Sequence, residues 1–581
     1  MDIKEIKETP IWELYEIGRN YHRRVGIYTD TDKNYRFFRG NQWEGAKLGD
    51  VEPIQINFIQ PIVKYKVAVV HDNLYAINYS SLNFESREFH RTAERYCKLL
   101  NGYASRVWER SKMDYIGRRV TTDAAVNDEG IIYVDFDKEN MIPVNEIIKK
   151  NDVYYGDENS DDIQSQPYIL IRKRMTVVNA MDFARGHGVS EEKLDYIIGD
   201  NDTFEESGDA AKIEVDNMVT IVFKLYKKDG AVHFSAATRW VEIIEDADMD
   251  ISLYPIAHLV WSEKEGSARG EGEVRNIIPN QIEVNRIAVR RALIVKFQAF
   301  PRSIADRSKI ANPQALTTVG GTIFTNGQPV DDVHKIVGTI APAQMSPDVK
   351  LFQDDLIQIT RELAGAGDTA TGQVDPESAS GRAILAVQNA SRAPMNEQRE
   401  SYKMLVEDLA SIWLEYLIAF SSEGIQMEEE VTDPMTGEEY IQLVKVPQSM
   451  LKKLQATVKI DITPKSEYDK FARERTMENF LQSGFFNVQR LGELKAYVKA
   501  LDDDSVTPKM KLMEVIDAME AEQRKIAMIE AQAQMMQQRA EQFIMEGPEG
   551  QAEQVANAKR QIATQNGMAE ESGEEEEDLE E

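Results

Sequence analysis

The apolar positions of this chain change period several times, and each change marks an element. Ile3, Ile6, Ile11, Leu14 and Ile17 predict an amphipathic helix and arm over 1–30. An aromatic cluster closed by glycine follows, Tyr35-Arg-Phe-Phe-Arg-Gly-Asn-Gln-Trp43. Ile59, Ile62, Val63, Val67 and Val70 predict a helix over Asn57 to Asn73. Tyr96, Leu99, Leu100, Tyr103, Val107 and Trp108 predict one long helical stretch over 88–126. The period then drops to two. Ile131 to Phe136, Tyr168 to Arg172, Thr220 to Tyr226 and Ala231 to Ser235 read as short strands, the last pair joined by a Lys-Lys-Asp229-Gly230 hairpin signal. Residues 185–217 are charged and glycine-containing, which predicts a surface excursion. Together, 31–265 read as one α+β domain with mostly antiparallel strands.

From about Gly270 the order of elements becomes more specific. A helix is expected through Gln281, Ile282, Asn285 and Arg290, with Pro279 in its first turn, where the missing N–H costs nothing. A turn-rich module follows, with Gly320-Gly321, Asn326-Gly327 and a strand-like Val333 to Val337. A return helix is marked by Val349, Phe352, Leu356, Ile359 and Leu363, then a glycine-rich loop, then a third helix opening at Ser378-Ala-Ser-Gly-Arg-Ala383. That helix is expected to run from Ala379 to Ser421 with a kink before Pro394. Helix out, small module, helix back, loop and long helix is how a chain builds one stave of a ring around an opening. Tyr440 to Val446 and Thr457 to Ile462 return to strand period and are expected to complete the first domain's sheet. Helical residues resume over 466–545, and the last helix, Lys509 to Phe543, would span about 50 Å.

Composition removes several function classes. A chain of 581 residues divides into two or three cooperative units. No apolar run suffices to cross a bilayer, and no signal peptide is expected. The single cysteine, Cys97, precludes an intrachain disulfide and fits assembly in a reducing cytoplasm. The net charge is −31, from 99 acidic and 68 basic residues, the wrong sign for a protein that grips nucleic acid tightly. The acidic run from Glu570 to Glu581 predicts a solvated, disordered tail.

Candidate chemistry is sparse. Gly367 to Gly372 has P-loop glycine spacing, but Gln373-Val374 stand where lysine and serine or threonine are needed. Asp246-Ala-Asp-Met-Asp250 begins like a calcium loop and then lacks its glycine and its final glutamate. Asp502-Asp-Asp504 reads as a solvated run or a helix cap. His22, His71, His90 and His334 read as ordinary surface or core residues. No nucleophile elbow or CxxC is present, so no catalytic, cofactor or metal residue is assigned.

Six stretches, taken in order, carry a resemblance: Tyr35 to Trp43, Tyr254 to Trp261, Gly270-Glu-Gly272, Asn276 to Asn285, Ala379-Ser-Gly-Arg-Ala-Ile384 and Val458 to Thr463. The chain resembles the portal proteins of tailed bacteriophages. The resemblance implies an α+β portal fold. It comprises an N-terminal helical arm (1–30), a wing (31–271 and 425–505), two stem helices (272–299 and 346–363) and a β-containing clip (300–345). A tunnel loop (364–378), a kinked tunnel helix (379–424), a crown or barrel (506–566) and the acidic tail (567–581) complete it. It further implies a homo-oligomeric ring, usually of twelve copies, at one capsid vertex, with double-stranded DNA passing through its bore. The implied partners are the terminase large subunit, the major capsid and scaffolding proteins and the head–tail adaptors, with no membrane. The implied site residues are Gly365, Gly367, Asp368, Thr369, Gly372 and Gln373 in the tunnel loop. Glu283, Arg286, Arg290, Asp354 and Asp355 are implied on the stem, where the arginines are expected to tie neighbouring copies together or else to face DNA. Arg302, Arg307, Lys309, Asn326 and Gln328 are implied for motor docking, and Pro394 for the helix kink. Two other readings stand beside it, a head–tail adaptor or scaffold without a channel, and an enzyme acting on DNA ends.

Overall fold

The computed structural model describes residues 3–46, 52–81, 87–200 and 217–299, then 303–367 with interruptions. It further describes 393–432, 439–464, 467–483, 491–500 and separate helical residues between 512 and 535. The chain is α+β and forms two compact units, one of residues 1–428 with 443–465, the other of 429–442 with 466–581.

The first unit opens with α1 (Ile3–Glu8), α2 (Ile11–Val25), α3 (Ile27–Arg39) and α4 (Ile59–Val70). Gly26 and Gly40 close α2 and α3 in the left-handed region, which glycine enters without strain. Strand β1 (Asn73–Ser81) precedes α5 (Arg87–Arg110) and α6 (Met113–Asn127). The single helical stretch expected over 88–126 is therefore two helices. They part at Ser111–Lys112, where Lys112 takes φ 53°, a break that apolar spacing alone does not reveal. Cys97 is buried in α5.

Strands β2 (Glu129–Asp137), β3 (Ile142–Ile148), β4 (Val153–Tyr155) and β5 (Tyr168–Thr176) come next, then α7 (Val177–Gly186) and α8 (Glu191–Leu194). Strands β6 (Met218–Lys228), β7 (Ala231–Ala237), β8 (Glu242–Asp248) and β9 (Ile256–Val260) complete two antiparallel sheets, ordered β4-β5-β6-β7-β8 and β3-β2-β9. Asp229 and Gly230 both have positive φ in the β6–β7 hairpin, matching the strand twist. Period-two alternation divides the five-stranded sheet between cores. Leu170 and Val222 join Leu14 and Tyr15 on one face, while Val219 and Ile221 join Ala180 and Ala184 on the other. Leu194 and Ile197 anchor the described part of 185–217 to that second core, while most of its other residues face solvent, as a surface excursion would.

The remaining elements of this unit include α9 (Glu273–Ala299), the short pair β10 (Ser303–Ala305) and β11 (Val337–Thr339), α10 (Asp348–Leu363) and α11 (Asn396–Phe420). Helix α11 buries Leu405, Leu409, Trp413, Tyr416 and Leu417 in the large core that includes β2 and β9. Tyr416 Oη donates to Val134 O at 3.1 Å, and Trp413 Nε1 to Asn145 Oδ1 at 3.1 Å. The Glu415 carboxylate accepts from Ser252 N at 2.7 Å and Leu253 N at 2.9 Å.

Strands β12 (Ile425–Thr432) and β13 (Glu439–Val446) pair with each other. Helix α12 (Gln448–Leu454) leads to β14 (Ala456–Pro464), which pairs antiparallel with β1 from Asn73–Pro464 to Ser81–Ala456. The segment Thr457 to Ile462 thus joins the first domain by pairing with β1, whereas Tyr440 to Val446 pairs with β12 in a separate two-stranded sheet. Polar residues interrupt the alternation of β1, so its strand character went unread. The second unit contains α13 (Glu467–Gln482), α14 (Leu491–Ala500) and the described helical residues between 512 and 535.

Candidate functional site

Helix α9 is held at its root and free at its end. It begins six residues before Pro279, so that proline lies inside the helix and not in its first turn. Its missing N–H leaves the Arg275 carbonyl without an intrahelical partner. Both residues face solvent, which satisfies the carbonyl. The root is pressed against the sheet. A Cβ built on Gly270 would lie 2.4 Å from Ser262 O, and one on Gly272 would lie 2.8 Å from Asp128 N. Glycine is required at both positions because backbone occupies the space.

Arg269, just before these glycines, is buried at the centre of an ionic cluster. Its Nε donates to Glu158 Oε2 at 2.8 Å and its Nη2 to Glu158 Oε1 at 2.9 Å and to Val153 O at 3.1 Å. Nη1 donates to Glu129, and the guanidinium lies 4.8 Å from the Tyr155 ring centroid. His22 Nε2 stands 3.0 Å from Arg269 Nη2, tying α2 to the same cluster. A buried arginine satisfied on every side fixes the approach to α9 geometrically, and removing one partner would strand a charge. Burial pushes the Glu158 carboxyl up, but Arg269 and His22 bring it below its ordinary range. Burial holds His22 down at about 4, so the ring is neutral at pH 7.

More than two turns into α9, two buried amides grip a separate segment. Gln281 Oε1 accepts from Phe58 N at 3.1 Å, and its Nε2 donates to Ile56 O at 2.6 Å. Asn285 Oδ1 accepts from Ile56 N at 3.0 Å, and Asn285 Nδ2 donates to Gln42 Oε1 at 2.5 Å. The two side chains serve the backbone of 56–58 as a neighbouring strand would, satisfying groups that burial would otherwise leave orphaned. Tyr35 to Trp43 and Asn276 to Asn285 therefore meet at this joint, and Tyr254 to Trp261 meets Gly270-Glu-Gly272 at Asp128, whose carbonyl accepts from Trp261 N at 2.8 Å.

Beyond Val289 the helix emerges, and α10 returns beside it. The α10 residues buried here are polar, Gln353 and Thr360. Gln353 Oε1 accepts from Arg291 Nη1 at 2.7 Å, and Asn280 Nδ2 donates to Thr360 Oγ1 at 2.9 Å. Leu356 and Ile357 are half-buried against the large core, while Leu351 is 59 % exposed, Phe352 56 %, Ile359 51 % and Leu363 82 %. Among the described residues nothing covers this stripe.

The residues singled out from sequence are only partly brought together. Arg286 and Arg290 each place a guanidinium nitrogen 3.6 Å from the Glu283 carboxylate of their own helix. Asp354 and Asp355 are exposed on α10. Lys309 pairs with Asp306 at 3.3 Å, and Asn326 donates through Nδ2 to Ser308 O at 3.1 Å. Gly365 has φ 69° and closes α10, with Ala366 N returning to Arg361 O at 2.8 Å and Ala366 buried. Its glycine character thus serves a helix end, a different reason from loop freedom. Gly367 follows that cap. Pro394 lies in a 3₁₀ turn, Ala393–Met395, just before α11. Arg302, Arg307, Gln328, Asp368, Thr369, Gly372 and Gln373 lie outside the described residues, as do 379–392.

Asp246, in the calcium-like run, is engaged otherwise. It accepts from Tyr226 Oη at 2.8 Å and pairs with Lys7 at 3.3 Å. Among the described residues no cluster of histidine, cysteine or carboxylate is disposed to hold a metal ion, and no helix is long and apolar enough to cross a membrane. The Arg269 cluster went unread because its members are distant in sequence. Gln281 and Asn285 carried a readable signal, two amides four apart among Ile277, Ile278, Val284 and Ala288.

No curated protein matches the chain. A family model described as "Phage P22-like portal protein" matches residues 19–571.

Proposed function

Because the chain belongs to the P22-like phage portal family, whose members form the ring at a capsid vertex through which DNA passes and on which the packaging machinery docks, we propose that α9 and α10 are the stem of each copy. The observation that carries this reading is the exposed apolar stripe of α10. Hydrogen bonds to Gln353 and Thr360 hold it to α9, with Leu356 and Ile357 on the core side, and the outward residues Leu351, Phe352, Ile359 and Leu363 are left for a neighbouring copy. Contiguous exposed apolar surface of this kind marks an assembly face. Covering Leu351, Phe352, Ile359 and Leu363 would contribute on the order of 1.5–3 kcal/mol per side chain.

Twelve copies are the proposed ring, with 300–345 as the clip that receives the terminase large subunit and later the head–tail adaptors. Residues 364–378 are proposed as the loop that meets DNA, and 31–271 with 425–505 as the wing toward capsid and scaffolding protein. Assembly is proposed to occur in the host bacterial cytoplasm. The acidic balance supports a conduit, since each phosphate neutralised by a basic side chain releases counterions and strengthens retention. The portal family is structural and not catalytic.

Phe352→Asp and Leu363→Asp test the assembly face. Each is expected to leave the circular dichroism of the single copy unchanged while size-exclusion chromatography shifts from ring to subunit. Rings of unchanged size and stability from both variants would refute the assignment.

A further inference from the structure

The dipeptide Asn-Gly occurs at 101–102, at 326–327 and at 566–567, the last outside the described residues. The fold treats the first two very differently. Asn101 lies inside α5 with both ends of its amide engaged. Its Oδ1 accepts from Tyr79 N at 2.7 Å, and its Nδ2 donates to Asn78 Oδ1 at 2.5 Å. The helix also keeps the Gly102 N–H in its own hydrogen-bond ladder.

Asn326 sits in an exposed turn. Its backbone N–H donates to Lys309 O at 3.1 Å and its Nδ2 to Ser308 O at 3.1 Å, which fastens the turn to 308–309, beside the bridge between buried Ile310 and Thr325. Gly327 takes φ 68°, and its N–H makes a three-residue turn to Thr325 O at 2.9 Å, outside any helix or strand. Having no Cβ, glycine lets its own nitrogen swing toward the preceding side chain.

We propose that Asn326 deamidates spontaneously in the folded protein, that Asn101 does not, and that the reaction unfastens this turn. Solvent base takes the Gly327 N–H proton, the nitrogen attacks Asn326 Cγ, and the Cγ–Nδ2 bond breaks to release ammonia and leave a cyclic imide. Water then opens either imide carbonyl, giving aspartate or isoaspartate. Neither product has an Nδ2–H for Ser308 O. Each also brings a carboxylate to the segment where Asp306 already accepts from Ser308 N at 3.0 Å and Ser308 Oγ at 2.6 Å. The new charge falls within 300–345, so its bearing on motor docking rests on the clip reading, whereas the chemistry does not.

The test is incubation of the assembled full-length protein at mildly alkaline pH, followed by peptide mass spectrometry and enzymatic methylation of isoaspartate. Conversion is expected at Asn326 and not at Asn101. Asn326→Gln should abolish the signal at this site, and Gly327→Ala should slow it at least several-fold. Amide hydrogen exchange over 308–311 and 324–327 should quicken in the converted protein and in Asn326→Asp. An intact Asn326 under conditions that convert a synthetic peptide of the same local sequence would overturn the proposal, because the fold would then protect this site too. Equal conversion at Asn101 would overturn it by assigning the reaction to unfolded chain. Unchanged exchange after full conversion would refute the unfastening.

Discussion

His22 makes one side chain responsible for much of the acid sensitivity of its surroundings. Its ring is fully buried against Tyr154 and Arg269, and burial depresses its pKa to about 4, against an ordinary value near 6.5. The folded state therefore binds the proton less readily than the unfolded state. Its contribution is complete above about pH 6.5 and is lost as the pH falls toward 4. The total at stake is roughly 3 kcal/mol. His22→Gln is expected to flatten the decline of melting temperature between those pH values, and an unchanged decline would place the sensitivity elsewhere. Gln281 offers a second test at this scale. Gln281→Leu keeps the helix but leaves the buried Phe58 N without its partner, at a cost of about 1–3 kcal/mol, while water can replace the contact to the more exposed Ile56 O. Denaturant unfolding should register a loss of about 1–3 kcal/mol.

Elements were legible where one apolar face dominates the sequence. The strands β5, β6 and β7 and the helices α9 and α10 follow directly from period two and period 3.6. What escaped detection were features fixed by backbone geometry or by distant partners. Examples are the left-handed Lys112 between α5 and α6, the pairing of β1 with β14, and the approach of Gly270 and Gly272 to the backbone of 128 and 262. The apolar positions of α10 were visible as Phe352, Leu356, Ile359 and Leu363, although periodicity did not say that Leu356 turns to the core while Phe352, Ile359 and Leu363 face outward. Arg286 and Arg290 were expected between copies, and the structure gives each a partner within α9. Exposed pairs of that kind contribute about 0–1 kcal/mol, so both guanidinium groups remain free to turn toward Asp354 and Asp355 of a neighbouring copy. Arg286→Glu is accordingly expected to weaken ring formation in sedimentation experiments at low salt, with the difference shrinking as salt rises. Intact rings with defective DNA packaging would instead assign Arg286 to the bore.

At the scale of the whole molecule, a ring that passes DNA must combine firm joints with a yielding contact to the duplex. The segment from Gly365 onward is where these demands meet, since α10 ends in a left-handed cap and the proposed tunnel loop follows. Gly367→Pro is expected to leave ring assembly intact and to reduce DNA packaging at least several-fold in an infection assay, and normal packaging would count against a role for the loop. The seam between α9 and α10 has a further consequence. Arg291 with Gln353 and Asn280 with Thr360 are directional bonds, which a slip of one helical turn would break together. The outer stripe of α10 is apolar, and contacts of that kind tolerate sliding because they have no preferred direction. Each stave is thus stiff along its own length, and the whole barrel is expected to widen or narrow by neighbouring staves gliding past one another, so that a change in bore diameter leaves every individual subunit undeformed.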